Sequence, residues 1–359
     1  MRTSATRTTG KGAGNIKTQR SGRSSSPVKA PGDLGFTAGK KMQYKGTLPA
    51  IDVPRLSGPD KALIRDLKKI WSGRGILPRA IDSEIQGLLG ELDPIQPWML
   101  ADDDDALLSR DRGVLLYELD DVKDVLERSA RCGELEKAEL AWNTDVHSPI
   151  LRLALKGQRT LQAETISQAP ICRDLLPKDL SGCVVGDKMV DFCILFANLE
   201  AEEPRVFHHI RDLVGKETHE PLRTVNQSVS TSLILQPSAL PIKTKGNELE
   251  AKVQLQSWTF AWLARMRRFL YLRSLPPGAQ DAIMAKLSFP VRIVYCSSWH
   301  LYLFRDTPDA VVMYKAVDLG DTHSVLGISK LLASLRRLAD WAKGPFWMWI
   351  KDDIPAYPK

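Results

Sequence analysis

From about residue 160 onward, short apolar segments alternate with long helical ones, and this interleaving leaves the chain few architectures. Strands are expected at 160–167, 189–196, 239–245, 290–297, 300–305 and 310–315, with helices at about 202–215, 248–272 and 323–343. Such a pattern reads as an α/β domain with helices against a mixed sheet. Upstream, helices are expected at 60–72, 78–91, 112–130 and 133–141, the second with Pro78 in its first turn. Asp102 to Asp105 reads as a solvated loop and N-cap before a helix starting near Ala106. No internal repeat is visible.

Net charge divides unevenly along the chain. The protein carries +7 overall, yet residues 1–46 hold ten Lys or Arg against one acid, Asp33, which leaves the other 313 residues at about −2. The first 46 residues are rich in Gly, Ser and Thr and poor in large apolar residues, so they are expected to be a disordered basic tail. Residues 47–110 are expected to be a linker and helical lead-in, and residues 111–352 the main domain. No run approaches 18 apolar residues, which argues against a membrane span. Cys132, Cys172, Cys183, Cys193 and Cys296 are odd in number and form no C-x-x-C pair. That count argues against disulfide partners and a structural zinc site, and fits a reducing, intracellular compartment. The acid-free, Ser- and Arg-rich start resembles a transit peptide in composition but lacks the apolar residues for an amphipathic face, so the nucleus is placed ahead of the mitochondrion.

Two strands carry the informative polar residues. Asp191 is an acid in an apolar strand, so it sits at a strand end, pairs with a cation, binds a metal, or faces solvent from an edge strand. On the next strand the period of two places Lys243 and Lys245 on one face, with Ile242 and Thr244 on the other. Gly246 then ends the strand, and Asn247 is expected to cap the following helix. Glu250 falls at the third helical position, where a capping box or the helix dipole explains it, and it shares a face with Gln254. The row Trp258, Trp262, Met266, Leu270 is expected to be core. His147 and His300 are expected to be structural, and His208 and His209, side by side, point in different directions.

Taken in order, several blocks resemble the fungal group of PD-(D/E)xK nuclease-like proteins. They are Glu139-Leu140-Ala141-Trp142-Asn143 with Val146-His147, then Lys188 to Phe192, then Pro241 to Gly246, then Gln254 to Trp258. Phe289-Pro290, Ile293-Val294, Trp299 to Tyr302 and Trp347-Met348-Trp349 complete the series. The resemblance implies a restriction-endonuclease-like core, a central mixed sheet flanked by helices. It also implies Mg²⁺-dependent phosphodiester hydrolysis on DNA or RNA. By position, Asp191 would be the metal-binding Asp, Lys245 the catalytic Lys, Glu139 the acid on the first helix, and Gln254 the helix polar residue facing the site. Carboxylates would hold the cation that polarises the phosphate and activates water, while the Lys orients the nucleophile.

One departure stands against that activity. Lys243 occupies the position where the motif needs an acid. Exchanging −1 for +1 about 4 Å from a divalent ion shifts the electrostatics by roughly 10 kcal/mol or more at an effective dielectric of about 20. The expectation is a degenerate metal site, with Lys243 and Lys245 free to meet a phosphate or an internal carboxylate such as Asp191, and with residual nucleic-acid binding. The alternative is an active Mg²⁺-dependent nuclease whose acid has migrated to Glu250. A non-catalytic protein-interaction module is the third reading.

Overall fold

The computed structural model describes residues 34–35, 40–91, 93–102, 110–179, 183–184 and 189–354. The expected tail ahead of Leu34, the carboxylates at 103–105, the helix start near Ala106 and Lys188 lie outside them. Within the described residues, β1 (Leu34–Gly35), β2 (Lys41–Thr47), β3 (Leu161–Thr165), β4 (Lys178–Asp179) and β5 (Phe192–Phe196) join four more strands. These are β6 (Ser238–Lys245), β7 (Phe289–Tyr295), β8 (Ser298–Asp306) and β9 (Ala310–Asp321), of which β7 matches β2 in length and the others exceed it. All lie in one mixed sheet, ordered β3-β5-β6-β7-β8-β9-β2-β1-β4. Pairing is parallel at β6–β7 and β2–β9 and antiparallel elsewhere. The central strands β5, β6 and β7 are buried along nearly their whole length, which explains the unbroken apolar run of β5 and makes Lys243, Thr244 and Arg292 on its neighbours buried polar residues.

The helices are α1 (Gly58–Trp71), α2 (Asp82–Leu89), α3 (Arg112–Glu134), α4 (Glu139–Trp142), α5 (Ser148–Ala154) and α6 (Leu199–Glu202). They continue with α7 (Pro204–Gly215), α8 (Glu248–Leu272), α9 (Pro277–Met284), α10 (Val325–Trp341) and α11 (Trp347–Asp352). Helix α8 packs on β6 and β7, and α1 and α10 pack on β9. Trp258, Trp262, Met266 and Leu270 are all buried, as expected, but so are Phe260, Leu263 and Phe269, because α8 is enclosed on more than one side. Trp262 stacks on Phe289 at 4.0 Å and Phe196 on Trp347 at 4.3 Å, so the C-terminal tryptophans close the core. Helix α10 meets β9 at a backbone crossing: a Cβ on Gly320 (φ +137°) would lie 2.5 Å from the Gly327 carbonyl oxygen, so no larger residue fits.

Three expectations change. The tail boundary at 46 cuts through β2, which pairs in parallel with β9 and is part of the sheet from Lys41 onward. Met42 faces the core, and Lys40, also buried, donates to Asp306 at 2.7 Å. The composition of 1–46 hid this because only alternate residues of a strand need be apolar. Second, the helix expected at 133–141 is interrupted: Glu136 adopts φ +45°, α3 stops at Glu134 and α4 starts at Glu139. Third, β9 runs to Asp321 rather than ending near 315. Because Asp306 keeps Arg267 at 2.6 Å and 2.9 Å, Lys40→Met is expected to cost only about 1–2 kcal/mol, measured by urea unfolding.

Candidate functional site

Asp191 lies one residue before β5. Its N–H donates to the Ile242 carbonyl at 3.0 Å and its carbonyl accepts from Ile166 at 2.9 Å, so the residue is held between β3 and β6. The edge-strand reading of Asp191 is therefore wrong: β5 has a neighbour on each side, and Asp191 is only 5% exposed. A carboxylate buried this far must be satisfied locally. Thr244 supplies its backbone N–H at 2.7 Å and its hydroxyl at 3.0 Å, both to Oδ2. The Lys243 ammonium completes the shell, 3.0 Å from Oδ1 and 2.8 Å from Oδ2.

The charges then alternate outward. Lys243, 6% exposed, also lies 3.6 Å from Glu139 Oε1, and Glu139 Oε2 lies 3.4 Å from Lys245. Lys245 in turn reaches Glu250 at 3.7 Å. The strand period puts the two lysines on one face of β6, while the start of α4 and the first turn of α8 bring the two glutamates to them. The chain of five, Asp191–Lys243–Glu139–Lys245–Glu250, holds three carboxylates and two ammoniums. Asn247 caps α8 as expected, accepting from Leu249 and Glu250. Glu250 does not close a capping box; its exposed side chain turns to Lys245.

Asp191, Lys243, Lys245, Glu139 and Glu250 thus come together, and Gln254 does not. Among the described residues Gln254 makes no hydrogen bond to the cluster and sits half-buried one turn beyond Glu250. His147 stands behind the site on a widened turn, Asn143–His147, between α4 and α5. Its Nε2 donates to the Cys296 carbonyl at 2.9 Å and its Nδ1 lies 3.0 Å from the Asn143 side-chain amide. Burial pushes its pKa down to about 4, so the ring is neutral near pH 7 and acts as a packed tie between α4–α5 and the β7–β8 turn. His300 does more than pack: its Nδ1 pairs with Asp318.

A second polar group escaped sequence reasoning. Glu248 accepts from the Tyr302 hydroxyl and pairs with Lys252 at 2.9 Å, and the Lys252 ammonium lies 4.6 Å from the centre of the Tyr44 ring. Burial and the Glu248 carboxylate push the Tyr302 phenol far upward. No signal of spacing linked Tyr44 to residues two hundred positions away.

The donor set does not fit a divalent cation as it stands. Mg²⁺ needs six oxygens at about 2.1 Å, whereas both Asp191 oxygens are engaged and an ammonium fills the space beside them. Among the described residues no three His, Cys, Asp or Glu side chains converge to hold a metal. Nor, among them, is any helix long and apolar enough to cross a membrane. A family model described as the PD-(D/E)XK nuclease superfamily matches residues 90–347. No curated protein and no solved structure matches the chain.

Proposed function

The chain belongs to the PD-(D/E)XK nuclease superfamily, and on that premise we propose that it is a non-hydrolysing member, of the fungal type, in which Lys243 has replaced the ion. The observation that carries this reading is the Lys243 ammonium at 2.8 Å and 3.0 Å from the two oxygens of Asp191. An ammonium there supplies the positive charge that a buried Asp191 requires, but it cannot polarise a phosphate as a Lewis acid or lower the pKa of a bound water. Asp191, Glu139, Glu250, Lys243 and Lys245 then form a continuous ion-pair network. With three carboxylates to two ammoniums, the cluster does not attract a phosphodiester. Nucleic-acid binding, DNA or RNA, falls instead to the cationic N-terminal segment, which also suits a nuclear address.

The test is cleavage of labelled DNA and RNA in Mg²⁺ and in Mn²⁺. Wild type is expected to show no metal-dependent cleavage above an Asp191→Ala control, and Lys243→Glu is expected to gain it. Wild-type cleavage that disappears in both Asp191→Ala and Glu250→Ala would install the migrated-acid nuclease instead. For binding, neutralising the seven Lys and Arg that precede Leu34 is expected to weaken affinity and flatten its salt dependence. Unchanged affinity removes the tail from the proposal, and no binding at low salt favours a protein-interaction module.

A further inference from the structure

A cavity of about 220 Å³ lies where the helical lead-in meets the domain, between residues 70–85, α3 and α10. The lead-in residues of its wall precede the segment matched by the family model, and it shares no residue with the Lys243 cluster. Its lining is chiefly aliphatic: Ile76, Ile81, Ile85, Leu115, Leu119 and Val122. An enclosed aliphatic cavity of ~150 Å³ accepts benzene; this pocket opens to solvent at an edge carrying Glu118, Arg336, Arg337 and Asp340, and its volume leaves room for a larger ring system against the aliphatic wall. It is smaller than the ~300–1,000 Å³ of drug-sized sites.

The charged groups at its edge set the ligand's charge. Glu118 is held by Arg110 and Arg336, each at 2.7 Å. Arg337 is paired with Asp66 at 2.9 Å and Asp340 with Lys343 at 3.2 Å. Burial pushes the Glu118 carboxyl up, but the two guanidiniums outweigh it and hold the group below its usual range, so it stays ionised. Ser329 spends its hydroxyl on the Val325 carbonyl. An ionic ligand would therefore have to break an existing pair to find a counter-charge, and trapped water would find few polar partners.

We infer that this cavity is a binding site for a small, neutral, apolar molecule of about bicyclic size, which joins the lead-in to the nuclease-fold domain. A molecule seated there touches α3 and α10 on one side and Ile70 to Ile85 on the other, so binding raises stability by mass action.

The test uses the full chain in differential scanning calorimetry with naphthalene and, at matched concentration, 1-naphthoate. Naphthalene is expected to raise the midpoint by at least about 1 °C in a saturable manner, and naphthoate to leave it unchanged. Ala333→Leu and Ser329→Leu, each adding bulk at the cavity wall, are expected to abolish the naphthalene response. Two variants are used so that one that folds suffices, with folding checked by circular dichroism. No response in wild type, or a response that persists in the filled variants, overturns the site. A naphthoate shift equal to or larger than that of naphthalene overturns its neutral character.

Discussion

Lys243→Met is expected to destabilise the protein by about 3–5 kcal/mol at pH 7, a large share of the total stability of an ordinary domain. The substitution keeps most of the side-chain volume and removes only the charge. Asp191 would then stay buried with Thr244 as its main donor, and two oxygens of one anion cannot be satisfied by one threonine. Glu139 would also lose one of its two lysines. The deficit relative to wild type is measured by urea unfolding at pH 7. Asp191→Asn in the same background should cost much less than the sum of the single changes. A Lys243→Met protein as stable as wild type at pH 7 would mean that the pair contributes nothing net to stability.

The second large effect is a pH dependence set by His147. In the unfolded chain this ring protonates near pH 6.5; in the folded protein burial holds its pKa at about 4. Its contribution is thus fully present above pH 6.5. As the pH falls, the unfolded state binds a proton that the folded state refuses, and stability declines by about 1.4 kcal/mol per unit. About 3 kcal/mol is lost by pH 4, and the small remainder goes within about a unit below it. Above pH 5 the carboxylates of the unfolded chain are already ionised, so the slope from pH 6.5 to 5 reports on histidine. His147→Gln should flatten that slope even though it lowers stability at every pH by disturbing the bond to Cys296. A wild-type slope retained in the variant would assign the effect to another group.

The shared face of Lys243 and Lys245 was legible because strand alternation is local: residues 239–245 fix which side chains lie together, whatever surrounds them. The helix from Glu248 to Leu272 was equally legible, since Gly246 ends one element and Asn247 caps the next within two residues. The fate of Asp191 was not. Its sequence context allowed solvent, a cation or a metal, and the choice depended on a lysine 52 positions away and on β3 covering the outer side. Gln254 misled for a related reason. It shares a helical face with Glu250, yet among the described residues it makes no hydrogen bond to the cluster.

The sequence by itself determined the α/β alternation, the boundaries of α8, the shared face of Lys243 and Lys245, and the ordered blocks that resemble the superfamily. These rest on interactions within about a turn or a strand pair, or on the identity of single residues. Only the tertiary structure decided that β2 belongs to the sheet, that Asp191 is enclosed and neutralised by Lys243, and that Glu139 and Glu250 bracket Lys245. It alone places a cavity between the lead-in and α10. Each of these depends on which distant segments share a dry interior, where an unpaired charge is costly and an empty space persists, and neither condition leaves a trace in local pattern.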